Sequence, residues 1–269
     1  MPFTFSHPAA VLPLLRDGRG RGPLIASALV AGSLAPDVPY FLESLAPGAY
    51  ALGRTTHRPW AVPTLDAAIA AGLVAGWHGL LREPLVALLP ERWADRAEAL
   101  TAPVGKRDPY DAAWFTVSAA IGALTHVGWD AFTHPGRAGE RLIPALRRDV
   151  GGMPMPVALQ WVTSAAGLAV LATAGTRLLR RETPAPRRIT LKPATRRRAL
   201  AAIGASAALG SLHRIAREVP KARRSGEGVS VSGLVATVSF GGGAGAAVGA
   251  TAYALAAKVT GRHSRDASG

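Results

Sequence analysis

Apolar residues form long runs along the chain, and several of these runs reach membrane-crossing length. Residues 150–176 and 228–257 contain no Asp, Glu, Lys or Arg, and both exceed the ~20 residues that a helix needs to cross a bilayer. Three further apolar stretches, residues 22–42, 62–81 and 111–133, are interrupted by single Asp or His residues. Polar groups at membrane depth usually serve a function, so we interpret all five runs as spanning helices.

Two shorter segments complete the predicted elements. Residues 7–16 predict a short helix before a Gly- and Arg-rich turn at 17–22. Residues 199–213 are apolar over a length that is short for a span, which is typical of an interfacial or re-entrant helix. No convincing strand pattern occurs in the sequence. The predicted fold is therefore all-α, a polytopic membrane helical bundle with about five spanning helices and two short ones.

The positive charge of the chain is concentrated in one segment. Fourteen Lys/Arg and two Asp/Glu lie between Arg177 and Arg224, whereas the rest of the 269 residues carry 17 basic and 15 acidic groups. A basic segment between apolar runs is typical of a cytoplasmic loop, whereas a nucleic-acid binder carries its basic residues on the folded surface. We therefore expect a multi-pass protein of the cell membrane that contacts lipid and no nucleic acid; the oligomeric state stays open.

Composition narrows the chemistry that the chain can perform. The absence of Cys excludes disulfides, thiolate metal ligands and Cys nucleophiles, and no G-x-S-x-G elbow supports a serine hydrolase. A metal would have to be held by imidazole and carboxylate groups, which suit Zn, with Mn or Fe as alternatives. The candidate ligands are His7, Asp37, His57, His126, Asp130 and His134.

Predicted topology brings most of these candidates to one membrane face. His126 and Asp130 are four residues apart and share a helix face. The turn at 17–22 folds the first two helices into a hairpin on which His7 faces Asp37, and His57 lies in a loop at the same outer end. For an isolated His–Asp pair, the alternative is a hydrogen-bonded pair in a core.

Three short motifs resemble a known family. The elements Ala35-Pro36-Asp37, His57-Arg58-Pro59-Trp60 and Thr125-His126-Val127-Gly128-Trp129-Asp130 resemble the LPD, HRGxTHS and SHxxxDxxT motifs of bacterial inner-membrane metal-dependent hydrolases, in the same order. The opening TFSHPAAVLPL resembles an uncharacterised actinobacterial membrane family with the same motif set, itself distantly similar to zinc-dependent phospholipases C. The resemblance covers about residues 1–150. It departs from the family at Pro63-Thr64, where the second His of THS is missing and His134 is a candidate substitute.

The resemblance implies roles for individual residues. A divalent metal would rest on His7, Asp37, His57, His126 and Asp130, with one carboxylate as a ligand and another as a base. The catalytic candidates are Asp130, Arg58 and Asp66. Arg58 would pair with a substrate phosphate or serve only as an interfacial Arg. Asp66 would orient His57 from behind or occupy the headgroup region.

Three functions stay open at this point. The first is a membrane-embedded, metal-dependent hydrolase acting on a membrane-associated ester or phosphoester, with an amphiphilic substrate because the site lies at the bilayer surface. The second is a metal-dependent lyase or cyclase that ionises an isoprenoid (prenyl) diphosphate. The third is a non-enzymatic membrane scaffold or transporter whose polar cluster only joins helices.

The predicted domain organisation follows these assignments. Residues 1–150 form a helical membrane domain with the metal site, and residues 151–258 form C-terminal transmembrane helices that flank the basic cytoplasmic loop 177–224. Residues 259–269 form a tail.

Overall fold

The computed structural model describes residues 3–103, 110–224, 226, 228 and 230–266, with side chains up to residue 259. Within that part of the chain the structure is helical apart from two short β-hairpins, so the all-α prediction is confirmed. The α-helices are α1 (Ala26–Leu34), α2 (Val38–Leu42), α3 (Ala49–Thr56), α4 (Ala67–Gly76), α5 (Arg82–Val86), α6 (Glu91–Leu100), α7 (Asp111–Thr133), α8 (Ala138–Leu142), α9 (Met155–Arg181), α10 (Pro193–Arg224) and α11 (Val231–Asp266).

Tighter and wider helical turns join these helices. The 3₁₀ segments are Thr4–Leu14, Ala35–Asp37 and Pro144–Arg147, and the π-helical turns are Val62–Asp66 and Trp77–Leu81. The hairpins pair β1 (Leu15–Arg16) with β2 (Arg19–Gly20), and β3 (Asp149–Val150) with β4 (Met153–Pro154). Asp17 and Gly18 connect β1 to β2 with φ of 50° and 77°, the left-handed backbone that a two-residue hairpin turn requires.

The chain divides into two compact units that interleave along the sequence. The first unit comprises Met1–Val38, Ala51–Val74 and Val104–Arg181, and the second comprises Pro39–Tyr50, Ala75–Pro103 and Glu182–Gly269. The first unit therefore extends past residue 150, because α9 packs against the 3₁₀ helix Thr4–Leu14 and against α7.

Close contact between α1 and α7 organises the first unit. Its core is built of alanines from α1, α4 and α7, and the two helix backbones meet at glycines. A Cβ on Gly32 would lie 2.1 Å from the carbonyl oxygen of Ala119, and one on Gly122 would lie 2.2 Å from that of Leu29. Only glycine permits this approach, which brings the end of α1 against the middle of α7.

In the second unit, α10 and α11 form a similarly close pair. A Cβ on Gly210 would lie 2.3 Å from the Gly241 carbonyl oxygen, and Ser206 donates a hydrogen bond of 2.7 Å to the Gly245 carbonyl. Small residues let the two backbones approach, as is common between helices in membranes. The buried guanidinium of Arg214 donates to the carbonyl of Tyr40.

Four helices of the described chain are long and apolar enough to cross a membrane: Val62–Val86, Met155–Arg181, Pro193–Arg224 and Val231–Val259. Three of them coincide with predicted spans. The predicted spans 22–42 and 111–133 are not among them, because helical structure in the first covers only residues 26–42 and polar side chains lower the hydropathy of the second. The count is thus four, where the sequence predicts about five.

The C-terminal third differs most from the prediction. The short helix expected at 199–213 is wrong, since α10 is a single helix of 32 residues. Most of the predicted basic loop 177–224 is consequently helical, with the connection confined to residues 182–192. The predicted tail begins inside α11, which continues to Asp266; residues 267–269 lie outside the described residues.

Candidate metal centre

Five of the predicted ligands meet inside the first unit, although they come from distant parts of the sequence. His7 lies on the 3₁₀ helix Thr4–Leu14, Asp37 ends the 3₁₀ turn after α1, and His57 directly follows α3. His126 and Asp130 lie one turn apart on α7. All five side chains are buried, and His57 is the most exposed at 9%. The predicted convergence of these five residues is therefore observed.

Local sequence explains the conformation of the segments that carry these side chains. Thr4 and His7 share a face because a 3₁₀ helix repeats every three residues. α7 ends at Thr133 because Pro135 disfavours a helical conformation for the residue before it, and His134 is extended. Thr56 donates hydrogen bonds of 2.7 Å to the Pro36 carbonyl and 2.8 Å to the Gly53 carbonyl, which holds the end of α3 beside the turn that carries Asp37.

Two imidazole nitrogens and two carboxylate oxygens alternate around a closed set of four neighbouring donor atoms, which we call the donor ring: Nε2 of His57, Oδ2 of Asp130, Nε2 of His126 and Oδ1 of Asp37. Nε2 of His57 lies 3.3 Å from Oδ2 of Asp130 and 3.7 Å from Oδ1 of Asp37. Nε2 of His126 lies 3.4 Å from the same Asp37 oxygen and 3.8 Å from the same Asp130 oxygen. Ligands held at about 2.0–2.1 Å around a tetrahedral zinc ion are separated by roughly 3.3–3.4 Å, which is close to the shorter of these distances. The donor atoms of His57, His126 and Asp130 lie close enough together to hold one metal ion, and so do those of His7, Asp37 and His126.

Backbone carbonyls fix the orientation of both imidazoles. Nδ1 of His57 donates a hydrogen bond of 2.7 Å to the Gly53 carbonyl, and Nδ1 of His126 donates one of 2.7 Å to the Ser33 carbonyl. A carbonyl oxygen only accepts, so Nδ1 carries the hydrogen, and Nε2 of the neutral ring carries the lone pair. This arrangement, in which the outer nitrogen is bonded and the inner one faces the cluster, is that of metal-ligating histidines.

Polar atoms without partners are concentrated in this cluster. Among the described residues, nine buried side-chain nitrogen and oxygen atoms have no hydrogen-bond partner, and all but the Tyr253 hydroxyl belong to the predicted site. The eight site atoms are Nδ1 and Nε2 of His7, Oδ1 of Asp37, both carboxylate oxygens of Asp66, Nε2 of His126, Oδ1 of Asp130 and Nε2 of His134. Buried polar groups are otherwise nearly always bonded, and the donor atoms of this cluster are close enough together to hold a metal ion.

His7 lies against the ring of His126. The two ring centroids are 3.7 Å apart with an interplanar angle of 30°, and the edge of Trp129 closes the other side at 5.5 Å. Burial, followed by the nearby His126, lowers the pKa of His7 to about 3. His7 is therefore neutral at physiological pH, which is the form that binds metals.

The remaining candidates lie around the cluster. His134 donates from Nδ1 to the Asp130 carbonyl at 3.0 Å and lies outside both groups of residues whose donor atoms are close enough to share an ion; burial lowers its pKa. Asp66 is fully buried and interacts electrostatically with the imidazoles of His57 and His126. Asp66 was predicted to orient His57. The Gly53 carbonyl already accepts a hydrogen bond from Nδ1 of His57, so the orientation of this imidazole does not require Asp66. Arg58 is exposed.

Sequence reasoning missed the groups that hydrogen-bond to the side chains of the cluster. Thr4 donates a hydrogen bond of 2.6 Å from Oγ1 to Oδ2 of Asp37, and the carbonyls of Ser33 and Gly53 orient the imidazoles. Backbone carbonyls leave no signal in a sequence. The three-residue spacing between Thr4 and His7 was the only sequence signal for Thr4. The helix predicted to begin at residue 7 left Thr4 outside it, so this signal was missed.

The Thr4 hydroxyl provides a test of this supporting shell. We expect Thr4→Val to weaken metal affinity about 10–100-fold, the usual effect of losing a hydrogen bond to a ligand. Isothermal titration of the metal-free protein with Zn²⁺ measures the change. Thr173→Val is the matched control, because Thr173 is exposed and donates only to its own helix at Ala169. Equal affinities in the two variants would exclude the supporting role.

The fold and the site together define a helical protein with four helices of membrane-spanning length and a buried His/Asp cluster that can hold a metal ion. The chain belongs to the family described as Domain of unknown function (DUF4184), whose model matches residues 1–255. The match includes every candidate site residue. No curated protein and no solved structure matches the chain significantly.

Proposed function

We propose that this chain is a membrane-embedded, metal-dependent hydrolase that acts on a membrane-associated ester or phosphoester. The observation that carries the proposal is the set of eight buried, unpartnered polar atoms within the described site. A divalent cation would satisfy those that face the donor ring. Borderline imidazole and carboxylate donors without sulfur favour zinc, with manganese or iron as alternatives.

The distances in the cluster argue against a purely structural hydrogen-bond network. Neutral N–H···O hydrogen bonds have donor–acceptor distances of about 2.7–3.2 Å, whereas the contacts between Nε2 atoms and carboxylates are 3.3–3.8 Å. Both Nδ1 atoms instead make contacts of 2.7 Å with carbonyls. The Nδ1 atoms therefore make short hydrogen bonds, whereas the Nε2 atoms and the carboxylate oxygens lie farther apart than hydrogen-bonded atoms. This difference supports coordination of a metal ion over hydrogen bonding between the imidazoles and the carboxylates.

Exposed apolar surface supports a membrane location. Only 6–22% of the apolar window in each of the four long helices is buried within the chain. Soluble proteins rarely leave contiguous apolar patches of that size uncovered. We infer a polytopic helical bundle in the cell membrane, in which lipid covers these surfaces.

The surroundings of His57 support an amphiphilic substrate. Among the five ring-forming and stacked ligands, His57 is the most exposed, so the cluster is most open on that side. The exposed Arg58 and Trp60 adjoin it. A guanidinium binds phosphate oxygens in a bidentate manner, and an exposed Trp at an interface packs against apolar chains.

Catalysis would divide among the residues as follows. When bound, a divalent cation would supply the acidity that ionises a water molecule and would polarise the scissile bond of an ester or phosphoester. Asp37, His57, His126 and Asp130 would hold this cation. Asp66, a buried carboxylate outside the donor ring, is the candidate base that accepts the proton of the attacking water.

Chelation tests the proposed activity. In proteoliposomes that contain diacyl phospholipids or short-chain phosphoesters, the full-length protein is expected to release alcohol and acid or phosphate. We expect incubation with 1,10-phenanthroline to abolish turnover and added Zn²⁺ or Mn²⁺ to restore it, because the donor set selects such ions.

Prenyl diphosphates separate the two enzymatic proposals in the same assay. Release of hydrocarbon and diphosphate would favour the lyase or cyclase over the hydrolase. Turnover that resists the chelator would contradict a metal-dependent reaction of either kind.

A further inference from the structure

Three of the long apolar segments have an end on the same side of the second unit. The segment Val62–Val86 is followed by Leu89, whose carbonyl oxygen lies 3.5 Å from Nη1 of Arg196, near the start of α10. Near the end of α11, Lys258 donates a hydrogen bond to the Gly79 carbonyl. In a bilayer that these helices cross, one layer of lipid headgroups therefore lies on this side.

Helix α6 and the connection 182–192 form a continuous surface at these helix ends. Nε of Arg187 lies 2.6 Å from Oδ1 of Asp95, and the Asp95 carbonyl accepts a hydrogen bond of 3.0 Å from the backbone N–H of Ala185. The connection between α9 and α10 is therefore fixed against α6, although the sequence predicts it as part of a loop.

Basic side chains exceed acidic ones on this surface. Residues 82–100 and 182–198 together carry nine basic and five acidic side chains. Three of the acidic side chains form ion pairs with arginines at 2.6–3.1 Å: Glu98 with Arg82, Asp95 with Arg187, and Glu83 with Arg188. Four exposed cations, which we call the cationic face, form no ion pair within the described part of the chain: Arg92, Lys192, Arg197 and Arg198.

The surroundings of the cationic face favour an anionic lipid. The first turn of α10 contains no acidic residue, so the partial positive charge of the helix N-terminus adds to the charge of Arg197 and Arg198. The Arg92 guanidinium lies 5.6 Å from the ring centre of Trp93, and Trp is enriched where proteins meet lipid headgroups. Clusters of Lys and Arg beside membrane-spanning helices attract anionic headgroups.

We propose that the cationic face binds the headgroups of anionic phospholipids. A nucleic acid carries the same sign of charge, but the face adjoins the ends of exposed apolar helices, which lipid would cover. The binding does not depend on the metal centre, so this proposal and the proposed hydrolase are tested separately.

A comparison of two lipids tests the proposal. The full-length protein in detergent is titrated with phosphatidylglycerol or with phosphatidylcholine, and native mass spectrometry counts the bound lipids. We expect the wild type to bind phosphatidylglycerol at least about tenfold more tightly, because each Lys or Arg near a headgroup contributes about fivefold in affinity. Replacing Arg92, Arg197 and Arg198 together by Gln is expected to remove this preference, whereas replacing the same three by Lys is expected to retain it.

An equal change of charge in the first unit is the control. Arg141, Arg147 and Arg148 are exposed there, and their joint substitution by Gln is expected to leave the lipid preference unchanged. An equal loss of preference in both Gln variants, or equal affinity of the wild type for the two lipids, would overturn the proposal. Displacement of phosphatidylglycerol by inorganic phosphate or by an oligonucleotide at constant ionic strength would also overturn it, because the face would then be a site for soluble anions.

Discussion

Asp130→Ala is expected to lose bound metal and to lower hydrolysis by more than about 100-fold, beyond the 10–100-fold typical of outer-shell substitutions. The reason is that Asp130 contacts imidazoles on both sides: its carboxylate oxygens lie 3.3 Å from His57 and 3.4 Å from His7. Metal content by elemental mass spectrometry and initial rates in proteoliposomes measure the two effects.

Metal content distinguishes a ligand from a structural carboxylate at this position. The Asp130 carboxylate lies 3.3–3.8 Å from the imidazoles of four histidines, and removing one partner from a buried charged cluster is destabilising. The thermal midpoint of metal-free Asp130→Ala is therefore expected to fall in either role, whereas only the loss of a ligand lowers metal content. Asp149→Ala, at an exposed Asp in the same unit, is the control and should change neither metal content nor rate. A midpoint that falls in Asp130→Ala with metal content unchanged would contradict the assignment.

Gly122→Ala is expected to destabilise the first unit and to weaken metal binding. The new methyl group would lie 2.2 Å from the carbonyl oxygen of Leu29 and 2.8 Å from the backbone nitrogen of Ser33. Both are backbone atoms, so α1 and α7 must separate. Overpacking of this kind costs about 1–3 kcal/mol, and the displacement lengthens the hydrogen bond from His126 to Ser33.

A matched substitution on the same helix has the opposite expected sign. A methyl group added at Gly128 of α7 would meet no atom within 4 Å among the described residues, so Gly128→Ala gains helix propensity, up to about 1 kcal/mol. Thermal midpoints in detergent and zinc affinity compare the two variants. Equal midpoints would show that the close approach of α1 and α7 does not limit the position of His126.

The membership of the His/Asp cluster could be predicted from the sequence, because it depends on residue type and coarse topology. The four-residue spacing of His126 and Asp130 places both on one face of any α-helix. The Asp17-Gly18 turn reverses the chain between His7 and Asp37 whether the first helix is α or 3₁₀. Both inferences hold even when the predicted ends of the helices are wrong by several residues.

The lengths of the helices and the hydrogen bonds that support the cluster were harder to predict from the sequence. The stretch 199–213 looked too short to span because arginines flank it, yet α10 extends from Pro193 to Arg224. Packing against the glycines of α11 stabilises that length, and tertiary contacts override local pattern. The 3₁₀ geometry that aligns Thr4 with His7 is likewise set by packing on α9, since Phe3 donates its backbone N–H to Ser164 at 2.8 Å.

X-ray absorption at the zinc edge tests the central claim most directly, because it reports the atoms around a bound ion. For zinc-loaded protein in detergent, we expect nitrogen and oxygen neighbours at about 2.0–2.1 Å, outer-shell scattering from imidazole, and a reduced imidazole contribution in His57→Ala. Zinc that washes away from the wild type, or a spectrum without imidazole scattering, would contradict a metal centre built from these histidines and aspartates.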